Sequence, residues 1–297
     1  MCSGIRTGAL IAPYDTGIVE ALIDLHTHSH YSDGTLPPAE LVEMAVKRNV
    51  GVLALTDHDT TAGLAEAREA AGERLRLIDG VEITAGWRGQ EIHVVGLGID
   101  PQHAVLRQHL AQLLQSRRAR IAAIGARLAK QRHFGGRDPS IDLLATAHVP
   151  TRTHMARALV AAGDARHTQD AFDRWLGRGC AGHVPQEWPT LESAIAAIRS
   201  AGGHAVLAHP HRYKLSSGAL GNLCTEFRDA GGAALEVSLP ALSPNDANRL
   251  ARLARMHGLA GSAASDFHEP GLPWRPLGRF AKLPEGIEPL WPRLLGH

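Results

Sequence analysis

Short apolar runs that break off at a histidine or an acid recur along this chain. Stretches with helical spacing separate most of them. "ALIDLHTH", "GVLALTDHD", "LRLIDGVEIT", "QEIHVVGLGI", "HAVLAHPH", "AALEVSL" and "LAGSAASDFH" read as strands, being short and bounded by turn-forming residues. "PPAELVEMAVKRNV", "TTAGLAEAREAAGER", "TLESAIAAIRSAGG", "NLCTEFRDAGG" and "PNDANRLARLARMHG" place apolar residues at helical intervals. Prolines open the first of these helices, and Thr60 or Thr61 is expected to cap the second. Repeated β-α units leave few architectures open, chiefly a parallel sheet covered by helices. With 297 residues and 44% hydrophobic content, the chain suffices for one large α/β domain or two smaller ones.

Residues 101–188 break the rhythm. They contain long helical patterns, "HAVLRQHLAQLLQSRRARIAAIGARLAKQ" and "TRTHMARALVAAG", and no convincing strand. The expected organisation is therefore a barrel-like scaffold from residues 22–100 and 189–297, a helical insertion at 101–188, and a poorly ordered N-terminal extension at 1–21. Arg117, Arg118, Arg120, Arg127, Lys130 and Arg132 form a basic run that is either a solvated helix face or a surface turned toward substrate. A net charge of +1 exerts no overall pull on nucleic acid or membrane. No stretch approaches the roughly 20 apolar residues of a membrane span. Cys2, Cys180 and Cys224 are odd in number and far apart, which points away from a disulfide framework and toward a reducing, cytoplasmic setting.

Histidine is the outlier, with 18 copies, many of them beside acids where apolar runs end. In a strand, residues i and i+2 share a face, so His26 and His28 project together as a metal-ligand pair. His30 lies past the strand's end and is expected either at the surface or in support of the ligands. Asp33, in "SDG", is as much a turn residue as a ligand. In "ALTDHDT", His58 at a strand's carboxyl end fits a site, and Asp59 is expected to cap the next helix. Glu82 interrupts an apolar run, which is costly unless the acid is paired or bound to metal. His93 is the polar break in "EIHVVGLGI", and His209 follows "AVLA". Asp266 and His268 repeat the i, i+2 geometry in "SDFH". Glu236 has no matching histidine and is read as a supporting or structural acid. Nine N/O donors exceed the needs of one ion, so two or three metals are expected. Imidazole with carboxylate suits zinc, manganese or iron.

Together, "DLHTHSHYSDG", "LTDHDT", "GVEI", "IHVVG", "AHP" and "SDFH" resemble the motifs of PHP (polymerase and histidinol phosphatase) domains over roughly residues 22–281. The resemblance implies a distorted (β/α)7 barrel with a trinuclear metal site at the strands' carboxyl ends. It assigns His26, His28, Glu82 and Asp266 to one metal. Glu82 would bridge to a second held with His93 and His209, and Asp33, His58 and His268 would hold a third. "TRTHMARALV", "AHPHRYKLS" and "SAASDFHEP" are similar to the subgroup of 3',5'-nucleoside bisphosphate phosphatases and the ribonuclease AM type of 5'-to-3' exoribonuclease. Thr153 and His211 depart from that subgroup's usual pattern on the expected substrate side.

The implied activity is hydrolysis of a nucleotide phosphate, from a 3',5'-nucleoside bisphosphate or a short 5'-phosphorylated RNA, by a metal-bridged hydroxide. Two to three divalent ions are implied as cofactors, manganese foremost. Arg152, His154, Arg212 and Lys214 are the candidates for a second substrate phosphate. The substrate is the sole expected partner, with neither membrane nor protein implied. A histidinol-phosphate phosphatase and a metal-binding module without catalysis are the competing readings. The first lacks a use for the insertion's motif, and the second does not explain a complete donor set.

Overall fold

The computed structural model describes residues 22–296; the extension expected over 1–21, with Cys2, lies outside the described residues. Seven strands form one sheet in chain order: β1 (Leu22–Asp24), β2 (Val50–Leu55), β3 (Arg76–Trp87), β4 (Gln90–Leu97), β5 (His204–Leu207), β6 (Ala234–Ser238) and β7 (Ala260–Ala263). The sheet closes on itself. Leu25 N–H donates to the Ala263 carbonyl at 3.0 Å, Asp266 N–H to that of His26 at 2.9 Å, and His28 N–H to that of Phe267 at 2.9 Å. The result is a distorted (β/α)7 barrel, whose closure pairs the two edge strands.

The distortion centres on β4. β1, β2 and β3 pair in parallel, as do β5, β6 and β7, but β4 is antiparallel to both its neighbours. This corrects the expectation of an all-parallel sheet. A two-residue turn, Arg88 (φ 48°) and Gly89 (φ 75°), joins β3 to β4 and pairs Trp87 with Gln90. Such a turn reverses the chain, whereas a parallel crossover needs a dozen residues or so.

Alternation along the strands divides the core. Val52 and Ala54 pack inward with Ile78, Val95, Leu97 and Val206. Leu53 and Leu55 pack outward against Leu41 and Val42 of α1 (Pro38–Lys47) and Leu64 and Ala67 of α2 (Leu64–Ala71). Each fully buried aliphatic side chain contributes roughly 1.5–3 kcal/mol. The N-cap of α2 is Gly63 rather than Thr60 or Thr61; Thr60 Oγ1 instead accepts the Ala62 N–H within the preceding turn. Ile195 and Ile198 of α7 (Leu191–Ser200), Phe227 of α8 (Ser217–Asp229) and Leu250 of α9 (Pro244–His257) cover the outward side chains of β3–β6.

Between β4 and β5 the chain runs through α3 (Ala104–Ala129), α4 (Ile141–Thr146), α5 (Arg152–Ala161) and α6 (Thr168–Ala171). The amino-terminal half of α3 packs on the barrel through Leu106, Leu110 and Leu113. Its carboxyl-terminal half enters a separate core of Ile121, Ile124, Leu128, Met155 and Leu159. The basic run divides accordingly. Arg117 and Arg120 are buried on the face that carries Leu113, Ile121 and Ile124, while Arg118, Arg127, Lys130 and Arg132 are exposed. No helix among the described residues is long and apolar enough to cross a membrane.

Candidate active site

The inward row of β3 runs Ile78, Gly80, Glu82, so its polar member lands inside the barrel mouth. His93 occupies the same kind of row in β4, two residues before Val95. It stands in the amino-terminal half of its strand, not at the carboxyl end expected from the sequence. Because β4 runs backwards, it reaches the same mouth as the others. His26, His28 and Asp33 lie just beyond β1, and His58 beyond β2. His209 follows β5, and Asp266 and His268 follow β7. Gly34 lets the loop after β1 fold back on itself, since a Cβ there would stand 2.4 Å from the His28 carbonyl oxygen. Asp57 holds that loop by accepting bonds from Ser29 N–H (2.7 Å) and from the Ser29 and Ser32 hydroxyls (2.6 Å each).

Glu82 is the centre of the cluster. Its Oε2 lies 3.2 Å from His26 Nε2, 3.2 Å from His28 Nε2 and 2.9 Å from His58 Nδ1. Its Oε1 lies 2.9 Å from His93 Nδ1 and 3.0 Å from His209 Nε2. Asp33 Oδ1 stands 3.3 Å from His268 Nε2 and 3.6 Å from His58 Nε2. Asp266 Oδ1 stands 3.4 Å from His28 Nε2 and 3.7 Å from His26 Nε2. All nine residues predicted from the sequence therefore meet at one mouth. His30 is exposed, which places it at the surface. Glu236 lies behind the cluster: its Oε1 is 2.6 Å from His26 Nδ1, and its Oε2 accepts the His209 N–H at 2.5 Å. The carboxylate holds the proton at His26 Nδ1, which leaves Nε2 facing the cluster.

The donors suit metal ions better than they suit one another. Glu82 Oε2, Asp33 Oδ1 and His58 Nδ1 are buried without a hydrogen-bond partner among the described residues. Their neighbours are close, yet are aimed at common points rather than along mutual hydrogen bonds. Three overlapping groups can each hold an ion: His28, Asp33, His58 and His268; His26, His28 and Glu82; and His58, Glu82 and His93. These divide the donors differently from the family assignment. His28 joins the Asp33 group, and His58 also joins Glu82 and His93. The backbone adds its own mark: His209 (φ 30°), Asp266 (φ 51°) and Asp59 (φ 50°) all take positive φ at strand ends. Strain of this kind persists where surrounding structure imposes it, often at functional sites.

Charge in the ion-free cluster is shared by proton. Burial would push the Glu82 carboxyl up, but His58, His26 and His93 hold it well below the carboxylate range. Burial opposes protonation of His28 and His93, yet the hydrogen bonds that protonated His28 would donate to Asp266 and Glu82 raise it to about 9, and the Glu82 charge raises His93 to about 10. His26, buried beside Glu82 and Glu236, is likewise well above its ordinary range. His209 goes the other way, lowered to about 4 by burial.

A chamber of about 130 Å³ opens above the cluster, walled by Asp33, His58, His93, Arg117, Arg120 and Arg152, with Phe172 and Trp188 also lining it. Arg152 Nη2 donates to Glu91 Oε1 (3.2 Å), Arg120 Nη1 to Glu91 Oε2 (3.1 Å), and Trp188 Nε1 also to Oε2 (2.9 Å). Arg117 is anchored by Asp59 Oδ2 (2.5 Å) and Thr84 Oγ1 (2.6 Å). This corrects the helix-cap reading of Asp59, whose other oxygen accepts the Thr84 N–H.

The remaining anchor candidates are placed differently. His154 Nδ1 lies 3.0 Å from Thr151 Oγ1 and 3.2 Å from Thr151 N, completing the capping box of α5 away from the chamber wall. Arg212 pairs with Asp266 Oδ2. Lys214 is exposed, outside the wall. Sequence reasoning left Arg117 and Arg120 undecided and missed Glu91, Trp188 and Arg275, which lies 3.1 Å from Asp266 Oδ2. For the arginines a signal existed, since they share a helical face with Leu113, Ile121 and Ile124. Glu91 and Trp188 are 97 positions apart, and nothing local joins them.

A family model described as the PHP domain matches residues 24–175. The chain is 47% identical over 273 residues to the 5'-3' exoribonuclease Rnm of Salmonella typhimurium, covering 91% of this chain and 92% of that protein. It is 39% identical over 275 residues to the 3',5'-nucleoside bisphosphate phosphatase of Chromobacterium violaceum, covering 92% and 96%. Among solved structures, it is similar to an amidohydrolase from Chromobacterium violaceum with bound sulfate and no metal (38% identity, TM-score 0.85, covering 93% and 96%). It is also similar to a metal-dependent phosphoesterase from Bifidobacterium adolescentis (30% identity, TM-score 0.73, covering 92% and 93%).

Proposed function

The chain belongs to the PHP domain family, and we propose that it is a metal-dependent phosphoesterase acting on nucleotides. Its substrates are a 3',5'-nucleoside bisphosphate or a short 5'-phosphorylated RNA. One observation carries this reading: a single small chamber is walled both by Asp33, His58 and His93 and by Arg117, Arg120 and Arg152. Acids and imidazoles alone suit cations, and guanidiniums alone suit anions. The two together suit a phosphoryl group held between bound cations and arginine. Both relatives' substrates offer the same bond. A nucleotide with a 5'-phosphate carries a second phosphoryl group on its 3' oxygen. Hydrolysis there releases inorganic phosphate from a bisphosphate, or a mononucleotide from a strand.

We assign two to three ions, manganese foremost and iron or zinc as alternatives, to His26, His28, Asp33, His58, Glu82, His93, His209, Asp266 and His268. When bound, they act as Lewis acids on the phosphoryl oxygens and on the attacking water. The protein's own groups do the rest. Arg152 and Arg120, fixed through Glu91, and Arg117, fixed through Asp59, grip the 5'-phosphate, which is not hydrolysed. Thr151 caps α5, whose first residues, Arg152 and Thr153, line the chamber, and the amino terminus of a helix favours an anion. Trp188 and Phe172 offer apolar faces to the nucleoside. The helical insertion at residues 101–188 thereby serves as a lid that selects substrate. Free Cys180 and Cys224 suit a reducing cytoplasm.

Initial-rate phosphate release with manganese tests the assignment. Adenosine 3',5'-bisphosphate should show a higher kcat/KM than AMP, and both should exceed histidinol phosphate, which has one phosphate and a cationic amine. Should histidinol phosphate prove best, the nucleotide assignment fails and only a phosphoesterase remains.

Metal uptake should depend on pH in a stated direction. His26, His28 and His93 hold protons at neutral pH in the ion-free protein, and an entering ion must displace them. Raising pH from 6.5 to 8.5 weakens that competition, so affinity should rise about tenfold per pH unit for each proton displaced. Titration calorimetry in buffers of different ionisation enthalpy reads the protons released. A pH-independent affinity without proton release would contradict the cluster's assignment.

A further inference from the structure

Outside the chamber lies a larger cleft of about 700 Å³, between the β3–β4 turn and residues 178–188. Chamber and cleft share Glu91, Arg120, Arg152 and Trp188, so they adjoin at this hydrogen-bonded group. Beyond that shared neck the cleft is lined by Arg88, Arg178 and His183. Its acids are Glu91, already bonded to Arg120 and Arg152, and the exposed Glu187. Arg88 is paired with Glu226 at 2.5 Å, whereas Arg178 is exposed and makes no ion pair among the described residues.

We propose that this outer cleft is a second anion subsite, taking a phosphate beyond the two of a nucleoside bisphosphate, with Arg178 as its principal contact. The proposal rests on the nucleotide reading above. The two volumes motivate it. The chamber, at about 130 Å³, is several times smaller than the cleft, whose roughly 700 Å³ lies within the roughly 300–1,000 Å³ of sites that bury whole ligands. The environment is also positive. Burial, and then the charges of Arg120, Arg152 and Arg178, hold the His183 imidazole below its ordinary range. A groove that combines guanidiniums with an indole is what a single strand needs, and Trp188 supplies the indole at the neck. Guanidinium groups of Arg117 and Arg120 stand 5.3 Å and 5.5 Å from the Trp188 ring centroid. The further phosphate has two chemical sources: the next phosphodiester of a strand, or an extension of the 5' end.

The test compares adenosine 3',5'-bisphosphate, adenosine 3'-phosphate 5'-diphosphate and a 5'-phosphorylated adenosine trinucleotide, using the wild-type protein, Arg178→Ala and Arg178→Glu. Losing one charged phosphate contact should lower kcat/KM for an extended substrate roughly fivefold to tenfold in Arg178→Ala, and further in Arg178→Glu. The bisphosphate should stay within about twofold of wild type, because its two phosphates are held in the chamber. A loss confined to the trinucleotide identifies the strand as the source, and one confined to the diphosphate identifies the 5' end. Wild-type values for both extended substrates would overturn the proposal, as would an equal fall for the bisphosphate. Failure of the wild-type protein to hydrolyse the bisphosphate would instead overturn the proposed function. Anisotropy of a labelled trinucleotide on metal-free protein reads the cleft independently of turnover. Its salt slope should fall by about 0.7 in Arg178→Ala if one phosphate contact is lost, and an unchanged slope would refute the subsite.

Discussion

Glu82→Gln should reduce phosphate release at least about a thousandfold, several kcal/mol of lost charge stabilisation. Glu82 stands within 3.2 Å of nitrogens from five histidines, His26, His28, His58, His93 and His209. Glutamine keeps the shape but removes the charge that faces them. The variant should also bind fewer ions than wild type by elemental analysis after reconstitution with manganese. His30→Ala is the matched control, because that ring is exposed outside the cluster, and its rate should stay within about twofold. A Glu82→Gln protein that retains a tenth of wild-type activity, or its full metal content, would show that the cluster is not the metal centre. A wild-type chain that binds one ion or none would sink the multinuclear assignment.

Arg117→Ala should destabilise the fold by about 3–5 kcal/mol, because it strands a buried carboxylate. Asp59 is 2% exposed and Arg117 is 8% exposed. Arg117 reaches from α3 to Asp59 after β2 and to Thr84 on β3, so it ties the inter-strand helices to the barrel. Burial alone would lower the guanidinium's pKa, but Asp59 raises it, as expected of a mutually dependent pair. The penalty should fall largely on the lone charge. Asp59→Asn combined with Arg117→Met should therefore recover much of the stability lost by Arg117→Ala. Chemical denaturation of the three proteins measures this. A single variant within about 1 kcal/mol of wild type would mean that the pair does not carry the contact.

Several features of the site were legible along the chain because they obey local periodicity. His26 and His28, or Asp266 and His268, share a strand-like i, i+2 spacing, and Glu82 is an acid in an apolar run. Arg117 and Arg120 sit on the same helical face as Leu113, Ile121 and Ile124, yet a face shows direction and not depth. Asp59 looked like a helix cap because a polar residue before a helix normally is one. Its positive φ and its distant partner Arg117 redirect it.

The sequence by itself determined the strand and helix alternation, the imidazole–carboxylate donor set and the family it resembles, because side-chain identity and spacing express all three. Tertiary structure decided where those donors point. The turn at Arg88–Gly89 reverses β4 and brings His93 from the wrong half of its strand to the common mouth. Backbone bonds from the segment after β1 to the end of β7 and the segment beyond it close the barrel, joining His28 to Asp266 across 238 positions of chain. The fold of residues 101–188 over the barrel sets Arg120, Arg152 and Trp188 around Glu91. Such contacts join residues far apart in the chain. Their geometry depends on loop closure and packing, which no local pattern encodes.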